Sequence, residues 1–301
     1  MGAVDDTPRT ASRTAVLVCQ GRAVADGRAA PGRFSDRLAA RLLSTDERTP
    51  VDEVRAGTPP DGFRARTTYE SVRACAEIMV PRTVAIDDAL RAHPAPQLVV
   101  LGAGLDTRAW RLPELAHTDV WEVDHPASQR DKRARLAEDG EPPVVARSVR
   151  FAPVDLAVDD LGTALDGAGH EASLPTAWLW EGVVPYLARE EVRATLAALA
   201  ARSAPGSILV LNYQAPSAKA TAGRLLTRLL GSSVTAGEPW RSLWKPQHMA
   251  ALLTEHGLRV VSDDDLQSLA DALGSVDGSA RGSASLRSGR VAVAEFSALL
   301  D

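Results

Sequence analysis

Gly102, Ala103 and Gly104 follow a short apolar run, Gln97 to Leu101, and Asp124 comes 20 residues after Gly104. Glycine lets a backbone pass close to a ligand with no Cβ in the way. An acid about 20 residues beyond such a turn is spaced to take the hydroxyls of a ribose. The pattern therefore points to a nucleoside site, with Glu122 on the same run as the alternative ribose ligand. A dinucleotide fingerprint needs a third glycine so that a helix can pack closely and meet a pyrophosphate; Thr107 holds that place, and no P-loop motif occurs in the chain. Asp106 makes the turn acidic, which suits a cationic or zwitterionic ligand better than a pyrophosphate. S-adenosyl-L-methionine, with its adenosine, sulfonium and amino-acid tail, meets those terms.

The elements that must hold these residues follow from the hydrophobic pattern. Val and Leu crowd residues 97–101, as in a buried parallel strand. Further runs read as strands at 120–124, 149–156, 176–181 and 207–213, with later ones near 258–262 and at 290–296. Helical stretches separate them. Pro126 suits the first turn of one, with Gly140 as its stop. Arg189 to Arg202 carries Val192, Leu196 and Leu199 on one stripe. Pro246 suits the start of another, with Gly257 just past its end. Strands alternating with helices predict an α/β fold, a doubly wound and mostly parallel sheet covered on both faces.

Residues 1–95 read as a helical N-terminal extension and 96–301 as the core. Ser12 can cap a helix from Arg13. Ser35-Asp36 can open a second that buries Leu38, Leu42 and Leu43, and Thr49 to Gly62 reads as a Pro/Gly-rich loop. Thr68 to His93 is helical again, with a kink at Pro81. Asp131 and Arg135 are spaced as an i,i+4 pair on a solvated face. Residues 214–245 interrupt the α/β rhythm and read as a lid insertion; 275–288 read as a Gly/Ser-rich loop.

Composition narrows the class. Of 301 residues, 45% are hydrophobic and 24% charged, which fits a globular α/β domain with an extension. The net charge of −5, with no dominant basic stripe, argues against nucleic acid or an anionic membrane as partner. No apolar stretch reaches the roughly 20 residues that cross a bilayer, and Met1 to Arg9 lacks the apolar core of a signal peptide. The two cysteines, Cys19 and Cys75, read as buried free thiols of a reducing cytoplasm. No metal site is expected, since His248 and His256 are eight residues apart on one helix and lack further ligands.

The residues at the strand ends, Gly102 and Gly104, Asp124, Asp155-Leu156 and Glu181-Gly182, lie where parallel sheets bind ligands. This set, in this order, resembles the leucine carboxyl methyltransferase family of class I S-adenosylmethionine-dependent methyltransferases, and its bacterial branch in polyketide and other specialised metabolism. The matching stretches are LGAGLDTRAWRL (101–112), VWEVDHP (120–126), VDL (154–156), WEGVVPYL (180–187) and LNYQ (211–214). Upstream, VPRTVAIDDAL (80–90) and ASRTA (11–15) match as well. The resemblance implies a Rossmann-like methyltransferase sheet and S-adenosyl-L-methionine as cofactor. It implies Arg82 for the methionyl carboxylate, which an arginine can take with two parallel hydrogen bonds. It implies the backbone of Gly102 under the amino-acid tail, with Ala103 and Gly104 completing the turn. Asp124 would take the ribose, Asp155 and Leu156 the adenine, and Glu181 would lie near the amino group and sulfonium. Plainer readings stand beside these: Arg82 as a surface arginine, Asp155 as a strand-end turn residue, Glu181 as a cap. One departure is Arg13, where eukaryotic members carry a lysine at a slightly different offset; a cofactor contact and a solvated helix start both fit.

The implied reaction is in-line attack of an oxygen on the sulfonium methyl, the oxygen being a carboxyl or phenolic hydroxyl of a small molecule. A carboxyl of pKa about 4 needs no base at neutral pH, whereas a phenol of pKa about 10 benefits from one. No residue announces itself as that base; His248, His256 and Tyr213 are candidates by position, with structural roles as the alternative. Trp240 and Trp244 either wall an aromatic, polyketide-like acceptor or anchor the insertion on the core. Two other classes use the same residues: a protein that binds the cofactor and catalyses a non-methylating reaction, and a nicotinamide-dependent oxidoreductase, against which Thr107 counts.

Overall fold

The computed structural model describes residues 12–138, 140–156, 158–216, 240–274 and 284–296. Five apolar runs form parallel strands: β1 (Gln97–Leu101), β2 (Asp119–Asp124), β3 (Ser148–Pro153), β4 (Thr176–Trp180) and β5 (Ile208–Gln214). β6 (Leu258–Asp265) and β7 (Gly289–Phe296) complete the sheet in the order β3-β2-β1-β4-β5-β7-β6, with β7 antiparallel to both neighbours. Strand order reverses between β1 and β4, the point where open α/β sheets leave a crevice for ligands. Leu101 pairs with Val123 on one side and Trp180 on the other, so the next residues along, Gly102, Asp124 and Glu181, stand side by side.

Every residue of β1 and β4 is buried, which is why neither run shows polar alternation. Alternate side chains enter opposite cores. Leu98 and Val100 pack with Ile86, Ala89 and Leu90 of the long helix before β1. Val99 and Leu101 share the other core with Trp178, Leu196, Leu199 and Met249.

The described α-helices in chain order are α1 (Arg13–Ala25), α2 (Thr45–Ala56), α3 (Phe63–Ala92), α4 (Arg108–Arg111), α5 (Pro126–Ala137), α6 (Leu161–Gly167), α7 (Arg189–Ala201), α8 (Pro246–Glu255), α9 (Leu266–Ala272) and α10 (Ala284–Ser288). Ser12 caps α1 through the amide of Thr14, and Pro126 and Pro246 occupy first turns as expected. The second expected helix is displaced. Residues 36–43 form successive turns that still bury Leu42 and Leu43, and α2 lies where a loop was expected from Thr49. A capping box starts it: the Glu47 amide donates to the Ser44 hydroxyl and the Ser44 amide to the Glu47 carboxylate. Pro50 is buried within α2, and Gly57, at φ +69°, ends it. Likewise Pro81 is buried within α3, which runs through 30 residues and starts five residues before Thr68. Packing overrides the breaker signal at both prolines.

Two further expectations change. Arg135 is not on a solvated face: besides Asp131 (2.6 Å) it bonds Glu47 (2.5 Å) and the Leu42 carbonyl (2.8 Å), clamping α5 to the cap of α2. Trp244 is 2% exposed within the core, with the Arg189 guanidinium 4.2 Å from its ring centre, so it anchors the described end of that stretch, residues 240–245. Of the lid reading at 214–245, residues 217–239 lie outside the described residues, as do 275–283 of the Gly/Ser-rich stretch. Cys19 and Cys75 are buried free thiols, and burial pushes their pKa values up to about 12 and about 11. Among the described residues, no helix is long and apolar enough to cross a membrane.

Ser44→Ala removes half of the α2 capping box. We expect a stability loss of about 1 kcal/mol, read from the urea midpoint at unchanged slope.

Candidate ligand-binding site

A cavity of about 370 Å³ opens at the carboxyl edge of the sheet. Arg82, Gly102, Ala103, Gly104, Asp124, Asp155, Leu156 and Glu181, the eight residues singled out from sequence, all line it. The strand ends supply most of them directly. Arg82 comes from α3, whose second half covers the sheet and so brings this residue level with the end of β4.

Close packing dictates both glycines. Gly102 has φ +63°, and a Cβ there would come within 2.3 Å of Val183 Cγ2. Gly104 has φ +50°, and its Cβ would meet that of Ala15 on α1 at 3.2 Å. The turn is thus pressed between the β4 loop and the first turn of α1.

Asp124 is fixed by backbone donors, Gly104 N–H to Oδ2 (2.5 Å) and His125 N–H to Oδ1 (2.6 Å). Burial pushes its pKa up, against the pull of these two amides. Glu122, the alternative, faces away from the cavity. It is 1% exposed, and both its oxygens accept from Lys132 Nζ at 2.6 Å. Lys132 also donates to the Asp106 carbonyl (2.7 Å), tying α5 to the glycine turn.

The end of the cavity lined by Arg82 and Glu181 is an ion network. Arg82 Nε donates to Glu181 Oε1 (2.7 Å), and Arg108 Nη1 lies 2.8 Å from Glu181 Oε2. Arg108 also holds Asp87 (2.8 Å) and the Asp106 carboxylate. Arg111 chelates Asp87 (2.7 and 3.1 Å). Arg22 of α1 bonds Asp36 (2.8 Å) and the Leu105 carbonyl (2.5 Å). Burial alone would raise the Glu181 pKa, but Arg108 and then Arg82 outweigh it and bring the value down to about 2. Burial opposes ionisation of Asp106 too, and Arg108 and Lys132 overcome it. Asp106 therefore does not serve as a free acid for the ligand, as its place in the turn suggested; Arg108 already occupies its carboxylate, through its guanidinium and its amide. Thr107, where a dinucleotide site has glycine, donates its hydroxyl to Asp36 (2.8 Å) and so helps dock the segment between α1 and α2.

Several lining residues escaped the sequence reading: Ser12, Thr14 and Arg22 from α1, His125 and Ser128 beside β2, and Tyr186 after β4. Ser12 and Thr14 fall inside the ASRTA stretch, whereas Arg13 between them is exposed and outside the cavity wall. His125 Nδ1 accepts from the Ala127 amide (3.2 Å), and its Nε2 is 4.0 Å from Asp155. The proposed bases are not at the site. Tyr213 donates to Asp263 (2.6 Å), and burial with that carboxylate drives its pKa upward. His248 and His256 are outside the cavity wall, and His256 Nδ1 faces the Leu252 carbonyl at 2.9 Å. No group of His, Cys, Asp and Glu suited to a metal ion occurs among the described residues.

A family model described as leucine carboxyl methyltransferase matches residues 15–200, more than half of the chain. A Mycobacterium avium (strain 104) protein, provisionally named an S-adenosyl-L-methionine-dependent methyltransferase, is 39% identical over 191 residues, covering 61% of this chain and 58% of that protein. A Mycobacterium marinum protein of the same provisional name is 37% identical over 209 residues, covering 67% and 65%. The chain thus spans roughly three fifths of the length of these relatives. The fold is shared with a provisionally assigned methyltransferase from Thermobifida fusca, at a TM-score of 0.55, 17% identity and 97% coverage of both chains.

Two variants test the geometry. Lys132→Met leaves Glu122 buried and unpaired, and we expect a loss of about 3–5 kcal/mol, most of it recovered by adding Glu122→Met; denaturant titration of the three proteins checks it. Glu181 has a depressed pKa, so its ion pairs stabilise the fold above its unfolded value near 4.5 and are lost as pH falls from there toward about 2. Glu181→Gln should therefore show a shallower fall in stability than wild type across that window.

Proposed function

The chain belongs to the leucine carboxyl methyltransferase family, and we propose that it binds S-adenosyl-L-methionine and moves its methyl to an oxygen of a small molecule. The observation that carries this reading is the Arg82–Glu181 ion pair, 2.7 Å across, in the wall of a cavity that also holds Asp124. A cation and an anion side by side complement an α-amino acid zwitterion, carboxylate toward Arg82 and ammonium toward Glu181. Asp124 then takes the ribose hydroxyls, Gly102, Ala103 and Gly104 pass beneath the amino-acid tail, and Asp155 and Leu156 hold the adenine. Arg22, buried in the same wall, adds a second guanidinium near the carboxylate. The provisional names of the mycobacterial relatives support the cofactor.

The protein's part in the step is to hold acceptor oxygen, methyl carbon and sulfur in line. A new C–O bond forms as the C–S bond breaks, and the sulfonium leaves as the neutral thioether S-adenosylhomocysteine. With a carboxylate acceptor the product is a neutral ester and no proton moves. The cavity wall favours that acceptor over a phenol. Of its described carboxylates, Asp106 and Glu181 are held by arginines, Asp124 by amides, and Asp155 is given to the adenine beyond β3, while His125 uses Nδ1 to cap α5. These are poor bases, and an acceptor already ionised at neutral pH needs none.

Calorimetry with S-adenosylhomocysteine tests the assignment. Asp124→Ala and Arg82→Ala should each weaken binding by about 1–3 kcal/mol; unchanged affinity in both defeats it. With S-adenosyl-L-methionine and a turned-over acceptor, the product gains one CH₂ and S-adenosylhomocysteine appears in equal amount. Conversion at constant mass would favour the non-methylating reading.

A further inference from the structure

We propose that the first three turns of α3 are a docking surface for a second copy of this chain, the two helices lying antiparallel about a two-fold axis beside Thr67. The surface is remote from the ligand cavity: Phe63 stands 19 residues before Arg82, about 28 Å along the helix. On the inner side of α3, Tyr69, Val72, Ala76 and Met79 are buried at helical spacing. The opposite side carries Phe63, Thr67, Glu70 and Ala74, at steps of four, three and four, with which one helix presents a seam to another. This side is open. Residues 63–68 are all exposed, Ala74 is too, and Phe63, at 90%, is the most exposed large apolar residue among those described.

Thr67, Glu70, Ser71 and Ala74 line an open groove of about 680 Å³ beside Phe63. Three of these four side chains are small, so a second helix can approach to about 8 Å between axes. A lone exposed phenylalanine is ordinary on a protein surface. One that stands beside such a groove on its own helix is self-complementary. Turned about Thr67, each copy lowers its Phe63 between the Thr67, Glu70, Ser71 and Ala74 of the other, the reciprocal pairing that a two-fold contact requires.

Charge fixes the direction. The antiparallel register sets Arg66 against Glu70 of the second copy, and Asp61 against its Arg73, once on each side of the axis. A parallel pairing would instead set Arg66 on Arg66 and Glu70 on Glu70, which like charges disfavour. Within one chain these side chains are already held along the seam. Glu70 accepts from Arg66 (3.2 Å) and Arg73 (2.9 Å), and the Arg66 guanidinium lies 5.8 Å from the ring centre of Tyr69. Docking therefore has less side-chain freedom to remove. A contact of three helical turns falls short of the roughly 1,200 Å² of a stable interface, so the dimer is a weak one that dissociates in the micromolar range.

Sedimentation equilibrium on the full chain, at about 1 to 200 μM, tests the pairing. Wild type should pass from monomer to dimer over that range. Phe63→Glu and Arg66→Glu should each weaken the dimer about tenfold or more. Ala74→Gln, which fills the groove and leaves every charge in place, should weaken it as well. Arg66→Glu combined with Glu70→Arg keeps opposite charges facing and should return the dimer to within about threefold of wild type. All these positions lie off the buried side of α3, so the thermal midpoint should not change. Wild type that stays monomeric throughout overturns the proposal, whether that side of α3 is bare or meets a different protein. So does a dimer that neither Phe63→Glu nor Ala74→Gln weakens, which places the contact elsewhere on the molecule. A double variant that dimerises no better than Arg66→Glu alone overturns it too.

Discussion

The guanidinium of Arg108 is the point on which the candidate site is built. It bonds Asp87 on α3, Asp106 in the glycine turn and Glu181 at the end of β4, and it is 2% exposed. Taking so many charges out of water is expensive, and Arg108, Arg111, Asp36, Asp87 and Glu181 each offset it with more than one partner. Arg22, Arg82, Arg108 and Arg111 face Asp36, Asp87, Asp106 and Glu181, so the signs balance within the cluster. The result is a site whose charged groups are oriented before any ligand arrives, and a ligand that enters has little reorganisation to drive.

The same cluster explains why the N-terminal helices sit where they do. Arg22 reaches the Leu105 carbonyl from α1, and Thr107 reaches Asp36 between α1 and α2. With Ala15 against Gly104, these contacts fold α1 over the strand ends and make it one wall of the cavity. Helical segment and sheet share buried polar partners as well as apolar ones.

Short-range signals carried much of this architecture. The strands were legible because buried parallel strands are continuous apolar runs, and the meeting of eight residues in one cavity wall because they stand at strand ends or in a motif on α3. What was hidden was pairing across distance. Arg82 and Glu181 are 99 residues apart in the chain, and Asp106 looked like a free acid until the Arg108 side chain was placed on it. Arg135 looked solvated until α2 arrived with Glu47. The helix α2 itself was recoverable from Ser44 and Glu47, whose spacing is that of a capping box, but Pro50 and Gly57 drew the reading to a loop. Trp244 and Tyr213 looked like candidates for chemistry, and both turn out to serve packing, through Arg189 and Asp263.

The two sealed thiols have a practical side. The thiolate is the species that reacts with maleimides and iodoacetamides, and Cys19 and Cys75 are both buried and hard to ionise. No other cysteine occurs in the chain. A single cysteine introduced on the surface would be the fast-reacting sulfur of the whole molecule. The protein is thus ready, without removing native residues, to carry a fluorophore or spin label at one chosen place.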